Sequence, residues 1–153
     1  MIQRIQSLFL LFVIVCLGCM VLTPIAAFSD AVTWMTAGIV GLDTGQSASG
    51  VLPFPIQGLI IGLMALTAFI LFSYKNRKRQ LALGKLNFLL VLGLIVVIYL
   101  SIDRIAADLG SGIENVAYGW GTYLPIIALA FQLLANRGVK RDEDLIKSVE
   151  RLR

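Results

Sequence analysis

Three short stretches of this chain place reactive residue types at spacings that catalysis uses. Cys16-Leu17-Gly18-Cys19 has the C-x-x-C spacing of redox-active thiols. That chemistry needs an exposed pair and normally a second pair for relay, whereas these cysteines stand inside a long apolar run with no partner pair, where thiols are inert because burial disfavours the thiolate. Asp43-Thr44-Gly45 copies the active-site triplet of aspartic proteases, but two such carboxylates must share a proton and the second copy is absent. Gly119, Gly121 and Leu124 form part of a nucleotide fingerprint. They open an apolar segment instead of following a strand, so they read as helix-packing glycines. The chain has no histidine, which excludes imidazole-based catalysis and imidazole metal ligation.

The elements that must hold these residues are apolar. With 153 residues, 58% of them hydrophobic, and a mean hydropathy of +0.88, the chain has too little polar surface for an ordinary soluble domain. Four apolar segments alternate with polar stretches, at about residues 8–27, 55–72, 86–102 and 118–135. Arg4 precedes the first. Lys75, Arg77, Lys78, Arg79 and Lys85 follow the second, and Arg137, Lys140, Arg141, Lys147, Arg151 and Arg153 follow the fourth, which leaves only Arg104 on the other set of loops. Basic loops are retained in the cytoplasm. The expected fold is therefore an all-α, up-down four-transmembrane-helix bundle of the bacterial inner (cytoplasmic) membrane. Both termini would be cytoplasmic, with residues 1–135 as the membrane domain and 136–153 as a tail. The net charge of +4 follows from topology and anionic headgroups, so nucleic acid is not an expected partner.

The first segment is long enough to span and exceeds the usual core of a cleaved signal, so it reads as a retained helix that kinks or ends at Pro24. Cleavage of the lipoprotein type before Cys19 wants a Leu where Cys16 stands. In the loop of residues 28–52, residues 31–42 read equally as a short hairpin or as an interfacial helix with Trp34 at headgroup level. Pro55 suits a first helical turn. Gly58 and Gly62 form a GxxxG motif that lets another helix approach, either within the chain or from a second copy. The third segment is expected to face lipid over much of its surface. The pattern Ile102, Ile105, Ala106, Leu109 extends it beyond the membrane. Pro125 is expected to kink the fourth segment, with Trp120 and Tyr123 as interface anchors. In the tail, Leu145, Ile146, Val149 and Leu152 recur at helical spacing behind Asp142, Glu143 and Asp144, which predicts a short amphipathic cytoplasmic helix.

No Asp, Glu, Lys or Arg lies inside any of the four segments. Buried ionisable groups mark ion pathways, so passage of an ion through one subunit is not expected. The polar residues Gln57, Thr67, Asn87 and Gln132 lie mostly towards segment ends, where neighbouring helices can satisfy them. Binding of a lipid or quinone between helices leaves no mark in sequence.

The chain resembles a known family at its ends. Met1-Ile-Gln-Arg-Ile-Gln, the stretch Tyr74-Lys-Asn-Arg-Lys-Arg-Gln with Leu86-Asn87 beyond it, and Leu134-Ala-Asn-Arg followed by Val139-Lys-Arg-Asp-Glu and Arg151-Leu-Arg153 resemble the Bacteroidota domain-of-unknown-function family numbered 4293. The resemblance spans the whole length and implies an inner-membrane protein with no catalytic residue to carry over. The expected role is that of a non-enzymatic accessory or scaffold subunit without a cofactor or metal. Docking to membrane lipids, to other integral membrane proteins or to a cytoplasmic partner falls to Lys75, Arg77, Lys78, Arg79, Arg137, Lys140, Arg141, Leu145, Val149 and Leu152. The alternative is a carrier or sensor of a lipid-like molecule, such as a lipid or quinone, built on a Pro125 kink and the Gly58 to Gly62 face.

Overall fold

The computed structural model describes residues 3–28, 33–36, 56–73, 77–108 and 116–151. Four helices dominate and make the chain α-class: α1 over Gln3–Leu22, α2 over Ile56–Phe72, α3 over Arg77–Asp108 and α4 over Leu124–Arg151. A three-stranded antiparallel sheet closes one end. Its strands are β1 (Pro24–Phe28), β2 (Thr33–Thr36) and β3 (Val116–Tyr118), in the order β2-β1-β3.

The first helix ends at Leu22, short of the span expected to reach residue 27. Pro24 disfavours helical backbone at Thr23, and the Thr23 hydroxyl donates to the Cys19 carbonyl at 3.0 Å, meeting one acceptor at the helix end. The chain then turns into β1. Its register with β2 is irregular between Pro24 and Ala26, beside the residue that has no N–H to give. Of residues 31–42 only 33–36 are described, and they form a strand paired with β1, Phe28 opposite Thr33 and Ala27 opposite Trp34. Gly119 donates its N–H to the Ile25 carbonyl at 2.7 Å, and the Thr122 hydroxyl donates to the same oxygen at 2.5 Å. These bonds tie the entry of α4, through a 3-10 turn at Trp120–Thr122, to the exit of α1. Gly119 and Gly121 therefore belong to this turn and not to a packed helix face.

The helix α2 matches the expected span. The helix α3 overruns its expected limits of 86–102 at both ends, because Arg, Lys, Gln, Leu and Ala upstream are good helix formers. The apolar run marked only its middle. Residues Arg77, Lys78 and Arg79 consequently sit in a first helical turn and not in a loop.

Two expectations for α4 are corrected. Pro125 is the second residue of the helix, in the first turn, where its missing N–H leaves no bond unmade; it starts the helix and puts no kink inside it. The residues expected to form a separate amphipathic tail helix continue α4 without interruption to Arg151. The one weak former there, Gly138, has a packing reason, since a Cβ on it would stand 2.8 Å from Cγ of Gln6 on α1.

Each helix packs on two neighbours, α1 on α2 and α4, and α3 on α2 and α4. Leu10 near the start of α1 meets Ile70 near the end of α2 and Ala135 in mid-α4, so successive helices run in opposite directions. The main core joins Val13, Leu17, Ile60, Leu94, Ile98 and Ala128, among others. Large apolar side chains also face outward on every helix. Leu11, Ile61, Leu89 and Leu134 lie exposed on α1, α2, α3 and α4 respectively, whereas Thr67, Asn87 and Gln132 are wholly buried. One stretch, Arg79–Arg104 of α3, is long and apolar enough to cross a membrane by length and composition; the apolar parts of α1 and α2, Gln6–Leu22 and Gly58–Phe72, are shorter.

Candidate functional site: a buried amide layer and a basic rim

Amide side chains at one level of the bundle join three helices. On α2, the Thr67 hydroxyl donates to the Leu63 carbonyl at 2.7 Å, the usual way a helical Thr satisfies its own proton. Its oxygen accepts from Nδ2 of Asn87 on α3 at 3.0 Å, and the same Nδ2 donates to Oε1 of Gln132 on α4 at 3.1 Å. Gln132 Nε2 donates back to the Gly84 carbonyl and to Asn136 Oδ1, both at 3.3 Å, while Asn136 Nδ2 donates to the Gly84 carbonyl at 3.1 Å. The layer packs against Gly84: a Cβ there would lie 2.2 Å from Asn136 Oδ1, so a side chain at this position would displace the Asn136 amide. One acceptor is left over, because Asn87 Oδ1 is buried with no hydrogen-bond partner among the described residues.

A second polar contact lies nearer the open end of the bundle. Gln6 on α1, 5% exposed, donates through Nε2 to Oδ2 of Asp142 on α4, 8% exposed. Hydrogen bonds to a charged acceptor contribute about 1.5 to 3 kcal/mol. Gln6→Leu is accordingly expected to destabilise the fold by about that amount and to raise hydrogen exchange first in the last three turns of α4, the region it clamps.

Around this end lies a rim of positive charge. Arg79 and Lys85 on α3 are exposed, as are Arg137, Lys140 and Arg141 on α4. The last three, with Asp144, Leu145 and Ser148, line a shallow groove of about 390 Å³ along one face of α4. Arg77 and Lys78 lie in the first turn of α3 and Val149 in the last turns of α4. Lys75 and Leu152 lie outside the described residues. Three basic residues at a helix N-terminus oppose the helix dipole, so helix stability does not explain them.

The remaining candidates are dispersed. Gly58 and Gly62 are exposed, and among the described residues a Cβ on Gly62 would meet nothing within 4 Å. Cys16 is half-buried and Cys19 exposed on α1, both with free thiols. Asp43-Thr44-Gly45 lies outside the described residues. Among the described residues, no group of three or more His, Cys, Asp or Glu could hold a metal ion.

The sequence marks Thr67, Asn87 and Gln132 as polar residues in apolar segments but does not connect them. The buried roles of Gln6, Asn136 and Asp142 are not visible in the sequence, Asp142 reading there as a first-turn residue of a solvated tail helix. One signal existed: Gln132 and Asn136 are four residues apart, hence on one helical face.

Comparison with known families supplies an independent finding. The family model described as Domain of unknown function (DUF4293) matches residues 2–152. The chain belongs to this family. No curated protein matches it. The region shared with DUF4293 takes in Gln6, the whole amide layer and the basic rim as far as Arg151.

Proposed function

We propose that this DUF4293 protein is a non-enzymatic, four-span protein of the bacterial inner membrane, with both termini cytoplasmic, serving as an accessory or scaffold subunit of a larger membrane assembly. The observation that carries the docking role is the overhang of α4. Its inner face is clamped to α1 through Gln6 and Asp142, while its outer face presents Arg137, Lys140 and Arg141 beside Leu145. A rigid, pre-ordered helix face with several cations and an apolar contact suits a partner surface of opposite charge.

The membrane reading is supported by the apolar exterior of all four helices and by the buried amides that bond across helices, the arrangement lipid favours. The apolar stretch Arg79–Arg104 of α3, 26 residues long, reaches about 39 Å, more than the thickness of a bilayer core. Among the described residues β2 and β3 are the edge strands of the sheet, and unpaired edge groups are penalised in hydrocarbon. A sheet at the opposite water interface, away from the basic rim, is consistent with the proposed orientation.

Deleting the end of α4 would remove the Gln6 clamp as well as the docking face, so point substitutions separate the two. Affinity purification from native membranes in mild detergent, with mass spectrometry, is expected to return partner proteins with the natural chain. Replacing Arg137, Lys140 and Arg141 together by Glu is expected to reduce their capture by about tenfold or more, since like-charge juxtaposition at an interface is strongly unfavourable. A monomer purified alone across several gentle detergents would refute the assignment.

A further inference from the structure

At the sheet end of the bundle, a groove of about 290 Å³ runs between the last turns of α3 and β3. Its walls are mostly apolar, from Leu100, Ile102 and Val116, and two aromatic rings close one side: Tyr99 on α3 and Tyr118 on β3 lie 6.1 Å apart between centroids, tilted by 50°. Asp103 is the one charged side chain in the lining. It is exposed, and no hydrogen bond or ion pair engages it among the described residues. Neighbouring Arg104 does not line the groove.

We propose that this groove is a lipid site, in which the Asp103 carboxylate accepts hydrogen bonds from the primary ammonium of phosphatidylethanolamine. Three features carry the assignment. An unpartnered carboxylate beside tyrosine rings is complementary to a cation, because ring faces and carboxylate are negative together. A primary ammonium has N–H donors for the carboxylate, which a quaternary choline lacks, and an anionic phosphatidylglycerol headgroup would be repelled. The apolar walls suit the glycerol and first acyl carbons of an amphiphile but have nothing for a small free amine to bond. Asp103 lies one residue before the end of the apolar stretch Arg79–Arg104, at the depth where lipid headgroups lie in the membrane orientation proposed above, on which this inference rests.

The test uses the full-length protein, stripped of lipid in detergent and offered an equimolar mixture of phosphatidylethanolamine, phosphatidylcholine and phosphatidylglycerol, with retention read by native mass spectrometry. The natural chain is expected to retain phosphatidylethanolamine about fivefold over each of the others, the scale of one partly exposed ion pair. Asp103→Asn, which keeps shape at an exposed position and therefore folds, should bring the three to parity, and Asp103→Glu should keep the preference. Equal retention by the natural chain, or an unchanged preference in Asp103→Asn, overturns the proposal. Displacement of the lipid by millimolar ethanolamine overturns the lipid as occupant in favour of a free amine.

The orientation is tested separately in whole cells with a membrane-impermeant maleimide, on a chain carrying Cys16→Ser and Cys19→Ser. Trp120→Cys, at the exposed sheet end, should be labelled from outside and Asp144→Cys should not. The reverse labelling would sink the orientation alone, while lipid preference in detergent would still report on the groove.

Discussion

Gln132→Leu is expected to lower stability by about 2 to 4 kcal/mol, measured as a shift in the denaturation midpoint in detergent micelles, and to do so more strongly than substitution of the residue it contacts. Gln132 accepts from Asn87 and donates to the Gly84 carbonyl and Asn136. Its loss leaves one Asn87 N–H without its acceptor and deprives Asn136 Oδ1 of its donor. Buried groups left without partners carry most of such a penalty. Asn87→Val, by contrast, removes a buried oxygen that already has no partner among the described residues, so part of its loss is offset and about half the effect is expected. The double variant should be more stable than the sum of the two single losses implies, since it removes both ends of one bond. Equal or reversed losses would show that the layer is not organised as described.

The second large effect concerns the approach of α3 to α4. Gly84→Leu is expected to cost about 3 kcal/mol or more and to yield aggregated protein on gel filtration, because even its first carbon falls on Asn136 Oδ1 and the rest has no space in a close-packed interior. Gly84→Ala should cost about 1 to 3 kcal/mol. That loss should be partly recovered when Asn136→Ala clears the space, which distinguishes a steric cause from a change in helix propensity. Gly62→Leu and Gly93→Leu serve as controls, since a Cβ at either meets nothing within 4 Å; each should stay within about 0.5 kcal/mol, as surface substitutions do. A Gly62→Leu variant that loses stability or partners would instead place a binding surface on the outer face of α2.

These two predictions rest on contacts that no single segment displays. Leu, Ile and Val runs mark where helices lie, because each helix forms from bonds within itself and its apolar character is a property of its own residues. Hence α2 was legible almost to the residue, whereas α1 both starts and ends about five residues before the expected segment. Helix ends were less legible, since the apolar run measures hydrophobicity and not backbone conformation; α3 continues through polar helix formers on both sides. Pro125 shows the same limit. A proline interrupts a helix or begins one depending on whether the residue four before it is already helical, and here the sheet and the 3-10 turn set the start of α4 one residue earlier.

The sequence by itself determined the family, the four apolar segments, the one-sided distribution of positive charge and the absence of histidine chemistry, because each is a property of residue types read in order. The tertiary structure decided which residues meet. It brought Gln6 to Asp142 across 136 positions, made one layer of Thr67, Asn87, Gln132 and Asn136, turned Gly58 and Gly62 outward, and put Asp103, Tyr99 and Tyr118 around one groove. The physical reason is that hydrogen bonds and close approach depend on distances fixed only when helices pack. A polar residue in an apolar run states a need for a partner, and only the packed bundle names it.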